Sequence, residues 1–141
     1  MDSIAISAQG RFQDFIESSD TLQVYREGDL VFSSDKDRVA ALLEYIDSPG
    51  PTHGPSVIFD KIMGNAAALL AVLAGAQEVY SPLGSQLGID TLERHHIKYH
   101  LTRVVPYIQK EPDKEEMCFM ERLSTGKGPD EFYQAIKAII K

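Results

Sequence analysis

The sequence predicts a three-layer α/β/α sandwich around a mixed sheet, with an antiparallel hairpin near its N-terminus. Two observations carry that expectation. From Val57 onward, short strand-like runs alternate with helix-length segments, an order that gives parallel strands joined by helical crossovers. Before it, "TLQVYREGDLVFSS" sets Leu22 and Val24 on one side of a Glu27-Gly28-Asp29 turn and Leu30 and Phe32 on the other. Alternation around a glycine-containing turn is a hairpin signal.

Each element follows from its own pattern. In residues 11–18, Phe12, Phe15 and Ile16 share a helical face. After the hairpin, Ser34 with Asp37 three residues on resembles a capping box. Val39, Leu42, Leu43 and Ile46 then repeat at helical spacing, and Pro49-Gly50-Pro51 stops the helix. "SVIFD" reads as a buried strand, and an alanine-rich helix follows, with Asp60 as its N-cap and Gly75 at C′. "EVYS" is the next strand. "GSQLGIDTLERHH" forms a helix with Leu87 and Leu92 inward. "IKYHL" and "VVPYIQ" supply one or two strand segments, with Pro106 favouring an edge or a bend. "KEPDKEE" is a surface loop, and "GPDEFYQAIKAIIK" closes the chain as an amphipathic helix with Phe132, Ile136, Ile139 and Ile140 apolar.

Composition narrows the class. The 141 residues fit one domain, 43% hydrophobic and 25% charged, and carry a net charge of −7. Without a basic stripe on an acidic chain, nucleic acid is not expected as a partner. The single cysteine, Cys118, excludes an intramolecular disulfide and suits a reducing compartment. No basic region followed by an apolar core opens the sequence, and the longest near-apolar run, Ile62 to Ala76, is too short to span a bilayer. A cytoplasmic protein without membrane contact is the expectation.

Three blocks carry a resemblance: "DKIMGNAAALLAVLAGAQEVY" (Asp60 to Tyr80), "LERHHIKYHLTRVVPYI" (Leu92 to Ile108) and "CFMERL" (Cys118 to Leu123). They resemble a small uncharacterised prokaryotic family, a domain of unknown function, whose fold is cytidine-deaminase-like. The resemblance implies that fold for residues 1–141 and says little about chemistry. Where the family has a second Lys, a Pro and a Gly, this chain has Asn65, Phe119 and His96.

The deaminase fold invites a test for zinc. Zinc deaminases need His-x-Glu and Pro-Cys-x-x-Cys at two helix openings. Here those openings read Ser34-Asp35-Lys36-Asp37 and Asp60-Lys61-Ile62-Met63, which cannot build a soft tetrahedral site. Neither a metal nor another cofactor is expected. His95 and His96 fall at a helix C-terminus, His53 falls in a Pro/Gly loop, and only His100 and Cys118 remain as conceivable ligands.

Asp60 and Lys61 admit two readings. Asp60 caps the helix and Lys61 is exposed beside it, although a cation there opposes the helix dipole. Alternatively, Asp60, Lys61, Gly64 and Asn65 form a ligand site at the helix N-terminus, at the C-terminal end of an inner strand. Cys118 likewise is either a small core residue or a nucleophile served by Glu121 three residues on.

Three functions follow. The first is a small-molecule domain for an anionic or nucleotide-like metabolite. The second is a metal-independent enzyme using Lys61, Asp60 and Cys118 with Glu121. The third is a subunit-interaction module, forming a homo-oligomer through the alanine-rich helix or a sheet edge.

Overall fold

The computed structural model of the chain describes residues 2–37, 39–48 and 54–140. His53 and the Pro49-Gly50-Pro51 stop therefore lie outside the described residues. Among the described residues the elements follow in this order: α1 (Asp2–Glu17), β1 (Leu22–Arg26), β2 (Asp29–Ser34), α2 (Ala40–Asp47), β3 (Ser56–Asp60), α3 (Asn65–Leu73), β4 (Ala76–Ser85), α4 (Gln86–Arg94), β5 (Lys98–Val105), α5 (Phe119–Ser124) and α6 (Pro129–Ile140).

The strands form one mixed sheet in the order β2-β1-β3-β4-β5. β1 runs antiparallel to both neighbours, whereas β3, β4 and β5 are parallel. The hairpin turn is tighter than expected: Arg26 pairs with Asp29, leaving only Glu27 (φ 54°) and Gly28 (φ 86°) between the strands. Two consecutive positive φ angles define the turn whose twist matches a hairpin.

Period-two alternation sorts the sheet into two faces. Leu22, Val24, Ile58 and Val79 enter a core with Leu42, Leu69, Leu70, Leu92, Phe132 and Ile136, all inaccessible to solvent. On the other face Phe59 and Tyr80 meet α1, with the Phe12 ring 5.6 Å and 5.3 Å from theirs. Helices therefore lie on both faces of the sheet. Among the described residues no helix is long and apolar enough to cross a membrane.

Several boundaries differ from expectation for identifiable reasons. The capping box at Ser34 does not form. The Ser34 hydroxyl accepts from the Lys36 amide at 3.1 Å and donates to Glu44, and α2 starts at Ala40 behind Val39. β4 continues through Pro82 to Ser85 because Met63 joins its far end, with Met63 N donating to Leu83 O at 2.8 Å. α4 consequently begins at Gln86, with the Ser85 hydroxyl accepting from Gly88 N. Gly88, which weakens α4 as a helix, is required: a Cβ there would lie 2.8 Å from Met63 O. Leu87 is only half-buried, and Ile89 with Leu92 takes the inward face. In α6, Ile139 is exposed. α5 is a further helix with no strong periodic signal of its own.

α3 needs the largest correction. It starts at Asn65 rather than beside Asp60, and Gly64 is its N-cap, with no side-chain acceptor of its own. Residues 61–62 bulge between β3 and α3 before Met63 rejoins the sheet. At the other end Gly75 takes the expected position, with φ 79°.

Candidate functional site

A cleft of about 420 Å³ opens where the end of β3, the start of α3, the segment before α2 and the loop leading into α5 meet. Five of the six residues singled out from the sequence border it: Asp60, Lys61, Gly64, Cys118 and Glu121. The sixth, Asn65, lies behind the wall.

Asp60 is 7% exposed, and its Oδ1 accepts from the Ile62 amide at 3.2 Å. It caps this turn and not the helix. Burial pushes its carboxyl up to about 7, against the opposing pull of the Ile62 and Lys61 amides. Lys61 does not neutralise it. The Lys61 ammonium donates to Ser18 O at 2.8 Å and sits 4.9 Å from the Phe15 ring centroid, holding the C-terminal end of α1. A cation at a helix C-terminus is favourable, which accounts for a residue that opposes the dipole of α3.

Glu121 does the capping that Asp60 was expected to do. It is 2% exposed, and its Oε1 accepts from the Asn65 amide at 2.7 Å while Oε2 accepts from Ile108 N at 2.8 Å. A carboxylate thus sits on the positive end of α3 and also ties down the chain after β5. Only glycine fits beneath it: a Cβ at Gly64 would lie 2.8 Å from both Glu121 Oε1 and Ile108 Cγ1. Because both its oxygens bind backbone amides, a role as base for Cys118 competes with this anchoring one.

Asn65 belongs to the same support. Its Nδ2 donates to the carbonyl and hydroxyl oxygens of Ser124, each at 3.1 Å, and its Oδ1 accepts from the Thr91 hydroxyl. Cys118 occupies the N-cap position of α5, and its amide donates to Ile108 O at 2.8 Å. The thiol residue is half-buried at the cleft. The remaining walls, Val39, Ile62, Ala66, Ala67, Ile108 and Met120, are largely apolar, with Asp37 and Lys110 bringing charge. No acceptor among the described residues meets the amides of Ala66 and Ala67.

The histidines lie elsewhere. His100 stacks on Tyr80 at 4.2 Å and pairs with Glu78 at 2.6 Å, on the α1 face of the sheet. His95 is the C-cap of α4, and His96 follows with φ 61°. Among the described residues, no three His, Cys, Asp or Glu side chains converge as metal ligands.

Sequence reasoning missed Ile108, Lys110 and Met120 as cleft residues, since only the tertiary fold brings the loop after β5 to α3. The buried Glu121 was accessible through its block, but its partner 56 residues away was not.

Residues 11–140 match the family described as Domain of unknown function (DUF1893), TM1506. The chain belongs to the DUF1893 family. A crystal structure of a DUF1893 family protein (TM1506) from Thermotoga maritima is similar, with a TM-score of 0.82 at 18% identity. The alignment covers 99% of this chain and 92% of that one. At that identity the likeness concerns the fold of the DUF1893 domain alone. Comparison with curated proteins gave no match.

Proposed function

We propose that this DUF1893 domain binds a small molecule in the cleft at the start of α3, on a zinc-free, cytidine-deaminase-like fold. One observation carries the proposal: Asp60, Lys61, Gly64, Cys118 and Glu121, separated by up to 61 positions in sequence, border a single cleft. Its site lies beyond the C-terminal end of an inner parallel strand, where open α/β sheets bind ligands. Support for the deaminase-like assignment comes from the segments that lead into α2 and α3, the helices whose openings hold the zinc motifs in those enzymes. Here Asp37 from the segment before α2 and Asp60-Lys61-Ile62 from the segment before α3 border the same space.

Small-molecule sites are mostly apolar with a few placed polar groups, and this cleft has that character. The anionic ligand expected from the sequence is less well supported than ligand binding itself. Glu121 already occupies the dipole of α3, and the ammonium of Lys61 is directed to Ser18.

The enzyme reading keeps one specific support. A buried carboxyl titrating near neutrality in a cleft suits general acid–base chemistry, and Cys118 borders the same space. The interaction-module reading loses its helical surface, because Ala66–Ala71 of α3 are buried within the chain; sheet edges β2 and β5 remain for it.

A thermal-shift screen of nucleosides, nucleotides, amines and carboxylic acids tests the proposal, with amide shifts mapped for each stabilising compound. Binding at residues 60–67, 108–110 and 118–121 is expected. Stabilising compounds that map only to other surfaces would remove the cleft as the site.

A further inference from the structure

We propose that the cleft selects ligands carrying a basic amine, which the Asp60 carboxylate receives, and discriminates against anions. This rests on the cleft being a ligand site, and it names the class of ligand.

The positive end of α3 is met by Glu121, whose two oxygens accept from Asn65 and Ile108 amides. The ammonium of Lys61 is held by Ser18 O and the Phe15 ring. The positive end of α3 and the Lys61 ammonium are therefore both matched within the chain, and the third cation source, Lys110, lies 3.9 Å from Glu116. Asp60 is the opposite case. It is more than nine-tenths buried, and among the described residues no Lys, Arg or His nitrogen lies within ion-pairing distance of it. Its oxygens receive only backbone amides of its own turn.

A buried carboxylate without a counter-charge is costly, and an incoming ammonium relieves that cost while gaining a charge-assisted hydrogen bond. The apolar walls, Val39, Ile62, Ala66, Ala67, Ile108 and Met120, fit a short hydrocarbon or aromatic body attached to that amine. Among the described residues, the other ionisable groups around the space are Asp37 before α2, Lys61 in the turn, Lys110 and Cys118 on the loop, and Glu121 in α5. Carboxylates outnumber ammonium groups there among the described residues, with the Lys61 ammonium directed to Ser18 O and that of Lys110 3.9 Å from Glu116. Burial raises Asp60 to about 7, so the preference for amines strengthens as pH rises through neutrality and fades below it.

Three probes with one body and three heads test this: benzylamine, benzyl alcohol and benzoate, titrated at pH 8 into ¹⁵N-labelled wild type, Asp60→Asn and Asp37→Asn. Amide shifts around residues 60–67 report binding. Benzylamine is expected to bind about tenfold tighter than benzoate, one charge-assisted contact's difference. Asp60→Asn should abolish that preference while leaving benzyl alcohol within about twofold, and Asp37→Asn should retain it. In wild type alone, benzylamine affinity should fall between pH 8 and pH 6. Equal or tighter benzoate binding, or a preference that survives Asp60→Asn, overturns the amine assignment and leaves the cleft standing as a site. If none of the three probes moves the cleft amides, the cleft reading itself falls, and the amine assignment with it.

Discussion

Replacing Asp60 with Asn should change how stability depends on pH, and the structure sets the size of the change. The carboxyl is 7% exposed, has no cation partner among the described residues, and titrates at about 7 instead of 3.8. Between those two values the folded chain binds a proton that the unfolded chain has released. Stability contributed by this group is therefore fully present below about pH 4, declines as pH rises, and is lost above about pH 7. The rise from 3.8 to about 7 corresponds to roughly 4 kcal/mol. Asn keeps the shape and the acceptor for the Ile62 amide but cannot ionise. Urea unfolding of wild type and Asp60→Asn at pH 5, 6, 7 and 8 isolates the term, since every other titration is common to both. The variant should gain on wild type with each step, by a few kcal/mol in all. A difference that stays flat within about 1 kcal/mol across this range would mean that Asp60 is ionised throughout and that its burial leaves the carboxylate uncosted.

Other consequences are smaller. Glu121→Ala removes the acceptor for two buried amides and the charge on the end of α3, and should cost about 3 kcal/mol in a urea titration; a loss under 1 kcal/mol would show that water replaces it fully. His96→Gly should stabilise by about 1 kcal/mol, because residue 96 sits at φ 61° just past α4, where glycine carries no strain; a destabilised variant would reveal a contact of the imidazole that outweighs the backbone. Lys61→Ala should lower stability by about 1 kcal/mol and loosen the end of α1 in hydrogen exchange, while changing the alkylation rate of Cys118 at pH 7 less than twofold. A large change in that rate would place the ammonium in the cleft and revive the paired Lys61–Cys118 nucleophile.

Much of the architecture was legible because local rules and tertiary structure agree there. The hairpin follows from alternation around Glu27-Gly28, the β3 strand from a compact apolar run, and the end of α3 from Gly75. Leu92, His95, His96 and Ile97 also behave as a helix terminus should: Ile97 N donates to Leu92 O and His96 N to Glu93 O. The start of α3 was misread for a physical reason. Local spacing offers Asp60 as a cap, but the chain supplies the acceptor from Glu121, and no local pattern encodes a cap that distant. β4 passes through Pro82 because Met63, beyond the bulge, continues the pairing on that side.

The candidate site was legible as residues more than as roles. Asp60, Lys61, Gly64, Cys118 and Glu121 were singled out as chemistry-bearing side chains near a helix opening, and the fold places them around one cleft. Their roles depend on orientation, which spacing does not carry. Lys61 turns to Ser18, Glu121 anchors backbone amides, and Asn65 faces Thr91 and Ser124, so Asp60 is left as the group whose charge no side chain among the described residues matches. Ile108 and Lys110 come from a loop whose position depends on where β5 ends.

The most direct test of the cleft as a binding site uses the chain's single cysteine. Cys118 borders the cleft, so a compound seated there should shield it. The alkylation rate of Cys118 would be measured with and without each compound that stabilises the protein. Slowing that saturates with the same concentration dependence as the thermal shift is the predicted result. Compounds that stabilise the chain at saturation while the thiol reacts at its unliganded rate would contradict it and move the search to another surface.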